Sequence, residues 1–314
     1  MNIVITGITS LLGSNIAEYF SRRGNNVISV GRERIFSPYN KLYRFETINW
    51  QNPKEFFLKE NQIDIFIHCA GLNAKECYLN PKEAFIFNSE TTLKLAKLCS
   101  ENNVKIFVYL STIHVYSPNP IGIINENNIP KNDHPYAKSK YKAEEYLKNN
   151  FIDSNMQYLI LRLSNIIAAP NFLETNCWGL LAQNICRQIF EKKQITLNSN
   201  PKILRDFVGI NQLNKFLEYY FKNLPKMISE TYNFASGETI TILDLANKIK
   251  SNYEYLYKKN IRICFETSDL DKFENQSYSY SLKKIESLGY KIDKSTNDEI
   301  NQLLKFCFLN YSKI

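Results

Sequence analysis

The chain has 314 residues, of which 44% are hydrophobic and 22% charged, a composition typical of a folded globular protein and not of a disordered one. Lysine and arginine outnumber acidic residues by 39 to 31, which gives a net charge of +8. These positive charges are spread along the chain, so we expect a mildly basic surface and no nucleic-acid partner, although an anionic substrate is compatible with the charge.

The cysteine and histidine patterns bear on location and on metal binding. The seven cysteines include no C-x-x-C pair, and we see no signal peptide, so we expect reduced thiols in a cytoplasmic protein. None of the three histidines pairs with another at the spacing of metal ligands, so we expect no metal. No apolar run reaches the length that spans a bilayer, so we expect no membrane partner.

Short apolar runs alternate with amphipathic segments, the pattern of strands joined by crossover helices. Such continuous apolar runs fit strands covered on both faces, so we predict an α/β fold with a Rossmann-like, doubly wound, mostly parallel sheet. The predicted strands are 2–6, 26–30, 63–71, 105–112 and 157–165, and the predicted helices are 11–24, 53–61, 81–103 and 136–149.

The alternation loosens beyond about residue 170. Helices are predicted over 178–192 and 240–253, and 205–221 reads as a short extended piece followed by a helix. We therefore predict two domains. The first, over 1–169, is a dinucleotide-binding Rossmann domain, and the second, over 170–314, is a smaller C-terminal α/β lobe with some segments that return to the core.

The first strand ends in the segment "TGITSLLGS", in which Gly7 and Gly13 flank the turn into a helix. Such a turn directs backbone N–H groups and the positive helix end at a pyrophosphate. Gly7 would supply the tight turn and Gly13 the close packing of helix on sheet, while Ser10 replaces the middle glycine of the usual pattern. The residues predicted to bind the pyrophosphate are Gly7, Thr9, Ser10, Leu11, Leu12 and Gly13.

The end of the second strand bears on the choice of cofactor. NAD-binding proteins usually place an acidic residue there to hold the ribose diol, but this chain has Gly31 followed by Arg32. An arginine can pair with a 2′-phosphate, which favours NADP over NAD. Arg34 could share this role, and the alternative of a solvated loop arginine stays open.

Four segments, "TGITSLLG", "IHCAG", "STIHVY" and "YAKSK", follow one another in order and spacing. Together they resemble the extended short-chain dehydrogenase/reductase family, in particular its nucleotide-sugar epimerases, dehydratases and 4-ketoreductases. The resemblance covers nearly the whole chain. It implies an NAD(P)-dependent enzyme, a nucleotide-diphosphate sugar bound mainly by the 170–314 lobe, and a homodimer built on the helices 81–101 and 136–149.

The resemblance also implies roles for individual residues. Tyr136 would exchange a proton with the substrate, Lys140 would hold the nicotinamide ribose, and Thr112 would hydrogen-bond the reacting oxygen. The substrate would be contacted by Thr112, His114, Asn165 and Arg205. The cofactor would be contacted by Tyr136, Lys140, Asn49, Trp50, Cys69, Ala70, Gly71, Asn88 and Leu163.

Tyr136 and Lys140 stand four residues apart in a predicted helix, so their side chains share one face. A phenol has a pKa of about 10, too high for a base at neutral pH. The ammonium of Lys140 and the charge of an oxidised nicotinamide would favour the phenolate. Tyr136 could then accept a hydroxyl proton as hydride leaves the sugar, or donate one in the reverse reduction. Two alternatives stay open, in which Thr112 caps a strand end and Lys140 pairs with Glu144.

Differences from the family pattern narrow the type of reaction that we expect. Asp133 is available as an N-cap ahead of Pro135, which suits a helix start near the tyrosine. Dehydratases of the family carry two acidic residues after the catalytic threonine, whereas this chain has Ile113 and His114, which argues against a 4,6-dehydratase. Arg32 favours a 4-ketoreductase that uses free NADPH. The alternatives are a 4-epimerase with tightly held NAD and a non-catalytic dinucleotide sensor.

Overall fold

The computed structural model describes residues 1–32, 42–60, 62–266 and 277–312, which form two compact units. The first unit takes in the described residues of 1–119, 126–163 and 219–233. The second takes in the described residues of 120–125, 164–218 and 234–314. The assignment of dinucleotide binding to 1–169 and of sugar binding to 170–314 stays a prediction.

Strands and helices alternate along the first half of the chain, and short strands accumulate in the second. The strands are β1 (Asn2–Thr6), β2 (Asn26–Gly31), β3 (Arg44–Thr47), β4 (Ile65–His68), β5 (Ile106–Thr112), β6 (Gly122–Ile124), β7 (Gln157–Leu163), β8 (Asn165–Ile167), β9 (Ile195–Leu197), β10 (Leu204–Gly209), β11 (Glu230–Phe234), β12 (Thr239–Thr241), β13 (Ile263–Phe265) and β14 (Tyr278–Tyr280). The helices are α1 (Leu11–Ser21), α2 (Lys54–Lys59), α3 (Ala74–Leu79), α4 (Pro81–Phe85), α5 (Thr91–Glu101), α6 (Pro135–Asn150), α7 (Leu181–Glu191), α8 (Ile210–Lys222), α9 (Ile242–Tyr257), α10 (Lys283–Glu286) and α11 (Asn297–Tyr311).

A seven-stranded sheet forms the centre of the first unit, in the order β11-β7-β5-β4-β1-β2-β3. All neighbouring pairs from β3 to β7 are parallel. The chain builds outward from β1 in both directions, so the carboxyl ends of β1 and β4 lie side by side where the strand order reverses. Doubly wound sheets bind ligands at this point. The predicted α/β fold with a doubly wound, mostly parallel sheet is confirmed.

Burial of the central strands follows from their apolar runs. Every residue of β5 is buried, and Phe66 on β4 stacks on Phe107 with 5.5 Å between ring centres. On α1 the buried face includes Ile16 and Phe20. Each such side chain stabilises the fold by about 1.5–3 kcal/mol when buried, so packing on both faces fixes the edge where the strands end.

The prediction of one regular helix over 81–103 is wrong at its centre. α4 begins at Pro81 as expected, but a π-helical turn, Ile86–Glu90, joins it to α5. Asn88 lies in this turn, and its Oδ1 accepts a hydrogen bond from the Leu72 N–H at 2.8 Å. Hydrophobic periodicity cannot show a single wide turn, because the apolar spacing on either side stays helical.

The second unit contains a three-stranded sheet, β12-β10-β8, two strand pairs, β13-β9 and β14-β6, and a helical core. Helices α7, α9 and α11 supply that core. α11 was not predicted, although its apolar residues stand at i, i+3, i+4 and i+7 and all are buried. They are Ile300, Leu303, Leu304 and Cys307.

Two features of the described residues bear on membrane and metal partners. None of the helices there has the length and apolar character needed to cross a bilayer. The same ranges hold no group of three His, Cys, Asp or Glu side chains suited to a metal ion. The cellular location and the metal content stay predictions.

Candidate active site

Two glycines shape the turn after β1. Gly7 has a φ of +74°, which favours glycine, and a Cβ on it would lie 2.7 Å from the backbone nitrogen of Ala70. A Cβ on Gly13 would lie 2.3 Å from the carbonyl oxygen of Gly7. Both positions exclude a side chain, so the start of α1 lies directly on the turn.

Ser10 occupies the middle position of the turn, where the usual pattern has glycine. Its φ of −78° and ψ of 158° are extended and tolerate a Cβ, and its hydroxyl caps α1 by accepting from the Gly13 N–H at 3.0 Å. The departure from glycine therefore leaves the turn and the helix start intact. Thr9 is exposed, Leu12 is half-buried and Leu11 is buried. A helix N-terminus of this form suits a pyrophosphate.

The hydroxyl of Thr6 ties the carboxyl ends of β1 and β4 together. It accepts a hydrogen bond from the Ala70 N–H at 3.2 Å and lies 2.8 Å from Nδ1 of His68. Burial lowers the pKa of His68 to about 3, with a smaller effect from the charge of Lys140, so the imidazole is neutral. These contacts hold the segment after β4 against the glycine turn after β1.

Gly71 and Asn88 lie close to Lys140. A Cβ on Gly71, which is exposed, would lie 3.2 Å from Oδ1 of Asn88 and 3.6 Å from Nζ of Lys140. The Asn88 amide is bound within the protein, because Oδ1 accepts from Leu72 and Nδ2 donates to Oγ of Ser139 at 3.0 Å. The contact of Asn88 with a cofactor stays a prediction.

Other residues predicted at the cofactor differ in exposure. Asn49 is exposed, and its side chain closes a turn by accepting from the Gln51 N–H at 3.0 Å. Trp50 is half-buried, and its Nε1 is buried without a hydrogen-bond partner among the described residues. Cys69 is half-buried and Leu163, the last residue of β7, is buried.

A side chain at the end of β2, where NAD-binding proteins usually place an acidic residue, would be tightly packed. Gly31 is buried, and a Cβ on it would meet Cγ2 of Ile8 at 3.2 Å and the ring of Phe45 at 3.4 Å. Arg32 follows as an exposed residue, and Arg34 lies outside the described residues. A role for Arg32 at a 2′-phosphate stays a prediction.

The three predicted catalytic residues meet between β5 and α6. Thr112, the last residue of β5, lies beside Tyr136 in the first turn of α6, and its side chain lowers the pKa of the phenol by hydrogen bonding. One turn farther along, Nζ of Lys140 donates to the Leu110 carbonyl oxygen at 2.9 Å and lies 4.7 Å from the centre of the Tyr109 ring. Lys140 and Thr112 are buried. The structure thus brings the predicted set together.

The alternative pairing of Lys140 with Glu144 at the surface is wrong. Glu144 is fully buried, and its Oε2 binds Nη2 of Arg162 at 2.6 Å. Lys140 instead uses the Leu110 carbonyl. Thr112, the other alternative, does cap the next turn by accepting from the His114 N–H at 3.2 Å, in addition to its bond with the tyrosine.

The start of α6 corrects a second detail. The N-cap is His134 and not Asp133, because Nδ1 of His134 accepts the Tyr136 N–H at 3.2 Å. Asp133 lies one residue farther from the helix and pairs at the surface with Lys138, 2.8 Å away. Pro135 is the first helical residue, one position before the predicted start at Tyr136. Two local devices therefore fix the first turn, which carries the tyrosine.

Burial dominates the ionisation of the pair. It raises the pKa of Tyr136 to about 12, against the lowering effect of the Thr112 hydrogen bond. It also lowers the pKa of Lys140 to about 8, against the raising effects of Cys69, Cys77 and Glu144. At neutral pH the phenol therefore holds its proton and most of the lysine is charged. The predicted shift toward phenolate is absent from the protein by itself, because burial outweighs the lowering effect of Thr112.

In the first unit, His114 is the other residue, in addition to Thr112, that was predicted to contact substrate. His114 is exposed and lies in the short 3₁₀ turn Ile113–Val115. Ile113, the residue between them, is buried. The two positions after the threonine therefore offer no carboxylate for the elimination of water.

In the second unit, Arg205 is half-buried, and its Nη1 donates to the Leu204 carbonyl oxygen at 2.8 Å, which the Tyr278 hydroxyl also binds, at 3.0 Å. Asn165 begins β8, and its Nδ2 donates to the Asp206 carbonyl oxygen at 2.8 Å. Arg205 also lines a cavity of about 360 Å³ with a largely polar wall. Its other lining residues are Gly179, Leu181, Asn184, Ile185, Gln188, Thr196, Leu197, Asn198, Ser199 and Ile242.

Sequence reasoning missed several residues around Lys140. Cys77 on α3 is buried, and its Sγ lies 3.4 Å from Nδ2 of Asn88. The helix that carries it could have been found, because Asn73 and Glu76 form a capping box, a pattern visible in sequence. Tyr109 gave no such signal, since it reads as one more apolar position of a buried strand.

A parallel α/β sheet with a tight glycine turn after its first strand, and a Thr–Tyr–Lys set between β5 and α6, is typical of a dinucleotide-dependent enzyme of the short-chain dehydrogenase/reductase type. Residues 3–235 match the family described as "NAD dependent epimerase/dehydratase family". The chain belongs to this family of NAD-dependent enzymes.

Individual relatives are distant. The chain is 24% identical over 272 residues to a dTDP-D-glucose 4,6-dehydratase of Dictyostelium discoideum, covering 79% of this chain but 61% of that protein. It is 24% identical over 259 residues to a UDP-glucose 4-epimerase of Vibrio cholerae, covering 79% and 74% of the two chains. The crystal structure of a Thermus thermophilus UDP-glucose 4-epimerase in complex with NAD superposes with a TM-score of 0.80 at 18% identity, over 98% and 99% of the chains. This last likeness shows the fold.

Proposed function

We propose that the protein reduces a keto group of a nucleotide-diphosphate sugar, at C4, with Tyr136 as the proton donor. The observation that carries this proposal is the position of the Thr112 side chain beside a phenol that keeps its proton at neutral pH. A protonated phenol beside a second hydroxyl suits a carbonyl oxygen that must gain a proton. Sequence relatives that act on nucleotide sugars support the substrate class.

The roles of the residues follow from their contacts. The Tyr136 phenol donates its proton to the substrate oxygen, and the Thr112 hydroxyl holds that oxygen. The Lys140 ammonium donates to the Leu110 carbonyl oxygen. Its positive charge favours the Tyr136 phenolate that remains after the proton has been donated. A reduced nicotinamide dinucleotide supplies the hydride when bound.

The crowding at the phosphate turn supports dinucleotide binding, because Gly7 and Gly13 leave a backbone surface free of side chains. Backbone N–H groups at the start of α1 would hold the pyrophosphate. Arg32 would hold a 2′-phosphate, and we propose NADP as the preferred form on this basis. The glycine at position 31 supports that preference, since it offers no carboxylate to a ribose diol.

We assign the nucleotide part of the substrate to the cavity of the second unit. Arg205 would pair with the diphosphate, and the polar wall would hold the base and ribose. Asn198 and Ser199 on that wall offer groups for hydrogen bonds with a base. His114 and Asn165 would contact the sugar.

A second candidate is an NAD-dependent 4-epimerase, which oxidises and re-reduces one carbon. It is favoured by relatives bearing that name in Vibrio cholerae and Drosophila melanogaster. The same three residues would serve, with Tyr136 accepting a proton in the first step and returning one in the second.

One assay separates the two candidates. Purified protein is incubated with nucleotide 4-keto sugars and with the parent sugars, with and without added NADPH. Stoichiometric loss of NADPH with a 4-keto sugar is the expected result. Interconversion of two parent sugars without net loss of cofactor would instead establish the epimerase.

A homodimer in the cytoplasm completes the proposal. Tyr78, Leu79 and Ile86 on and beside α3 and α4 are 54–70% exposed, and such apolar side chains suit a partner helix. Sedimentation of the wild type and of Ile86→Lys tests this, since a dimer built there would dissociate in the variant. Equal sedimentation coefficients would count against it.

A further inference from the structure

The last three residues of β5 each contact one residue on a single face of α6. Two of these contacts include proposed catalytic residues, whereas the third includes none of them. In that third contact, Oγ of Ser111 donates to Oε1 of Glu144 at 2.5 Å. The pairs are Thr112 with Tyr136, Leu110 with Lys140, and Ser111 with Glu144.

A buried cation completes the third contact. Nε of Arg162 lies 3.1 and 3.0 Å from the two carboxylate oxygens of Glu144, and Nη2 lies 2.6 Å from Oε2. Arg162 stands opposite Ser111 in the pairing of β5 with β7, so the network closes over two strands and a helix. The guanidinium is 4.7 Å from the centre of the Tyr116 ring, and the arginine is 1% exposed.

A buried ion pair is a weak source of stability, because the loss of hydration offsets much of the attraction. Its place therefore calls for another explanation, and its neighbours supply one. Glu144 lies one turn beyond Lys140 on the face that also carries Tyr136, and Ser111 directly precedes Thr112. The pair thus fixes the helix and the strand at the level of the proposed catalytic groups.

We propose that Glu144 is a positioning residue, which, with Ser111 and Arg162, holds the Lys140 ammonium and the Thr112 hydroxyl in place. The proposal rests on the proposed function, because it assigns Glu144 a part in the same site. It acts by geometry, through Ser111, and by charge, since a carboxylate one turn away favours the ammonium over the neutral amine.

Other groups also act on the two charges and must stay constant in a test. Lys140 is influenced by Cys69, Cys77 and Glu144, lies over the Tyr109 ring, and itself acts on His68. Glu144 is faced by Ser111, Lys148 and Arg162.

The test follows the titration of Lys140 directly. The protein is labelled with ¹³C at lysine Cε, and the Lys140 resonance is assigned by its loss in Lys140→Met. Removal of the charge in Glu144→Gln is expected to lower the titration midpoint by about one pH unit, while Glu144→Asp, which keeps the charge, stays near the wild type. An unchanged Lys140 midpoint in Glu144→Gln would overturn the proposal, because it would show that the Glu144 carboxylate has no effect on the ammonium.

Two further variants keep the test decisive. Where Glu144→Gln does not fold, Arg162→Met removes the cation that offsets the carboxylate charge and is expected to raise the midpoint; an unshifted midpoint overturns the proposal. Ser111→Ala leaves the ion pair in place and is expected to lower kcat about tenfold at constant KM, and an unchanged kcat would refute the coupling to Thr112. The titration needs no sugar, so it can fail or succeed independently of the proposed reaction.

Discussion

The phenol of Tyr136 lies beside the side chain of Thr112, which lowers its pKa by hydrogen bonding, although one residue stands in the first turn of a helix and the other ends a strand. Neither residue is placed by local sequence alone. Thr112 is held by its pairing with Leu163 on β7, and Tyr136 by the N-cap at His134. The contact therefore forms only when α6 is packed on the sheet. The proposed chemistry of the site depends on this packing.

Removal of the phenol hydroxyl should abolish turnover and spare the fold. In Tyr136→Phe the proton donor is lost, so we expect kcat to fall by about 10²–10⁴-fold. Binding of the dinucleotide, followed by fluorescence of the reduced cofactor, should stay close to wild type. Tyr146→Phe, the same change on the same helix, is the control and should keep full activity. Equal activity in the two variants would refute the role of Tyr136.

Crowding at the phosphate turn should make Gly7 far less replaceable than Gly24. Both have φ near +75°, but only Gly7 has backbone atoms within 3 Å of an added Cβ, and Gly24 has nothing within 4 Å. We expect Gly24→Ala to lower the free energy of unfolding by about 1 kcal/mol, the cost of the left-handed backbone. Gly7→Ala should cost more and also abolish dinucleotide binding. Urea unfolding and cofactor titration measure both, and equal effects would contradict the account.

The buried ammonium of Lys140 should lower stability at neutral pH. Its folded pKa of about 8 lies below the value of about 10.4 in an unfolded chain, so the unfolded state binds more protons between these limits. The penalty is full below pH 8 and is relieved as pH rises toward 10.4. Lys140→Met should therefore be more stable than wild type at pH 7, by about 2 kcal/mol, with a smaller gain at pH 10. A destabilised variant at pH 7 would show that the charge is not penalised.

Charge at the end of β2 should decide between the two cofactors. Arg32→Ala removes the exposed guanidinium proposed to meet a 2′-phosphate, so affinity for NADP should fall about tenfold and affinity for NAD should stay constant. Arg22→Ala, at an exposed site near the end of α1, is the matched control. Unchanged affinity for NADP in Arg32→Ala would remove this residue from cofactor selection.

The sequence predicted those parts of the protein that have a period or a spacing. The apolar runs of β1, β4, β5 and β7 predicted the parallel sheet, and the four-residue spacing of Tyr136 and Lys140 predicted a shared helix face. Strands of three residues, such as β8 and β12, are too short for a period to show.

Contacts made across the fold could not be read from spacing. The four-residue spacing of Lys140 and Glu144 is compatible with a salt bridge at the surface. In the structure Glu144 is buried and its carboxylate pairs with Arg162 on β7, a contact that the spacing does not show. The N-cap at His134 was missed because aspartate is the commoner cap and stands next to it. The ionisation of Tyr136 likewise depends on burial, which a sequence does not measure.

The most direct test of the central claim, proton donation by Tyr136 during hydride transfer to a nucleotide sugar, is an isotope measurement. Wild type and Tyr136→Phe are incubated with a nucleotide 4-keto sugar and 4-deuterated NADPH, and the product is analysed by mass spectrometry. The account predicts one deuterium on the sugar ring with wild type and a rate lower by at least about 10² with the variant. Deuterium transfer at equal rates in the two proteins, or none in a wild type that binds both ligands, would contradict it.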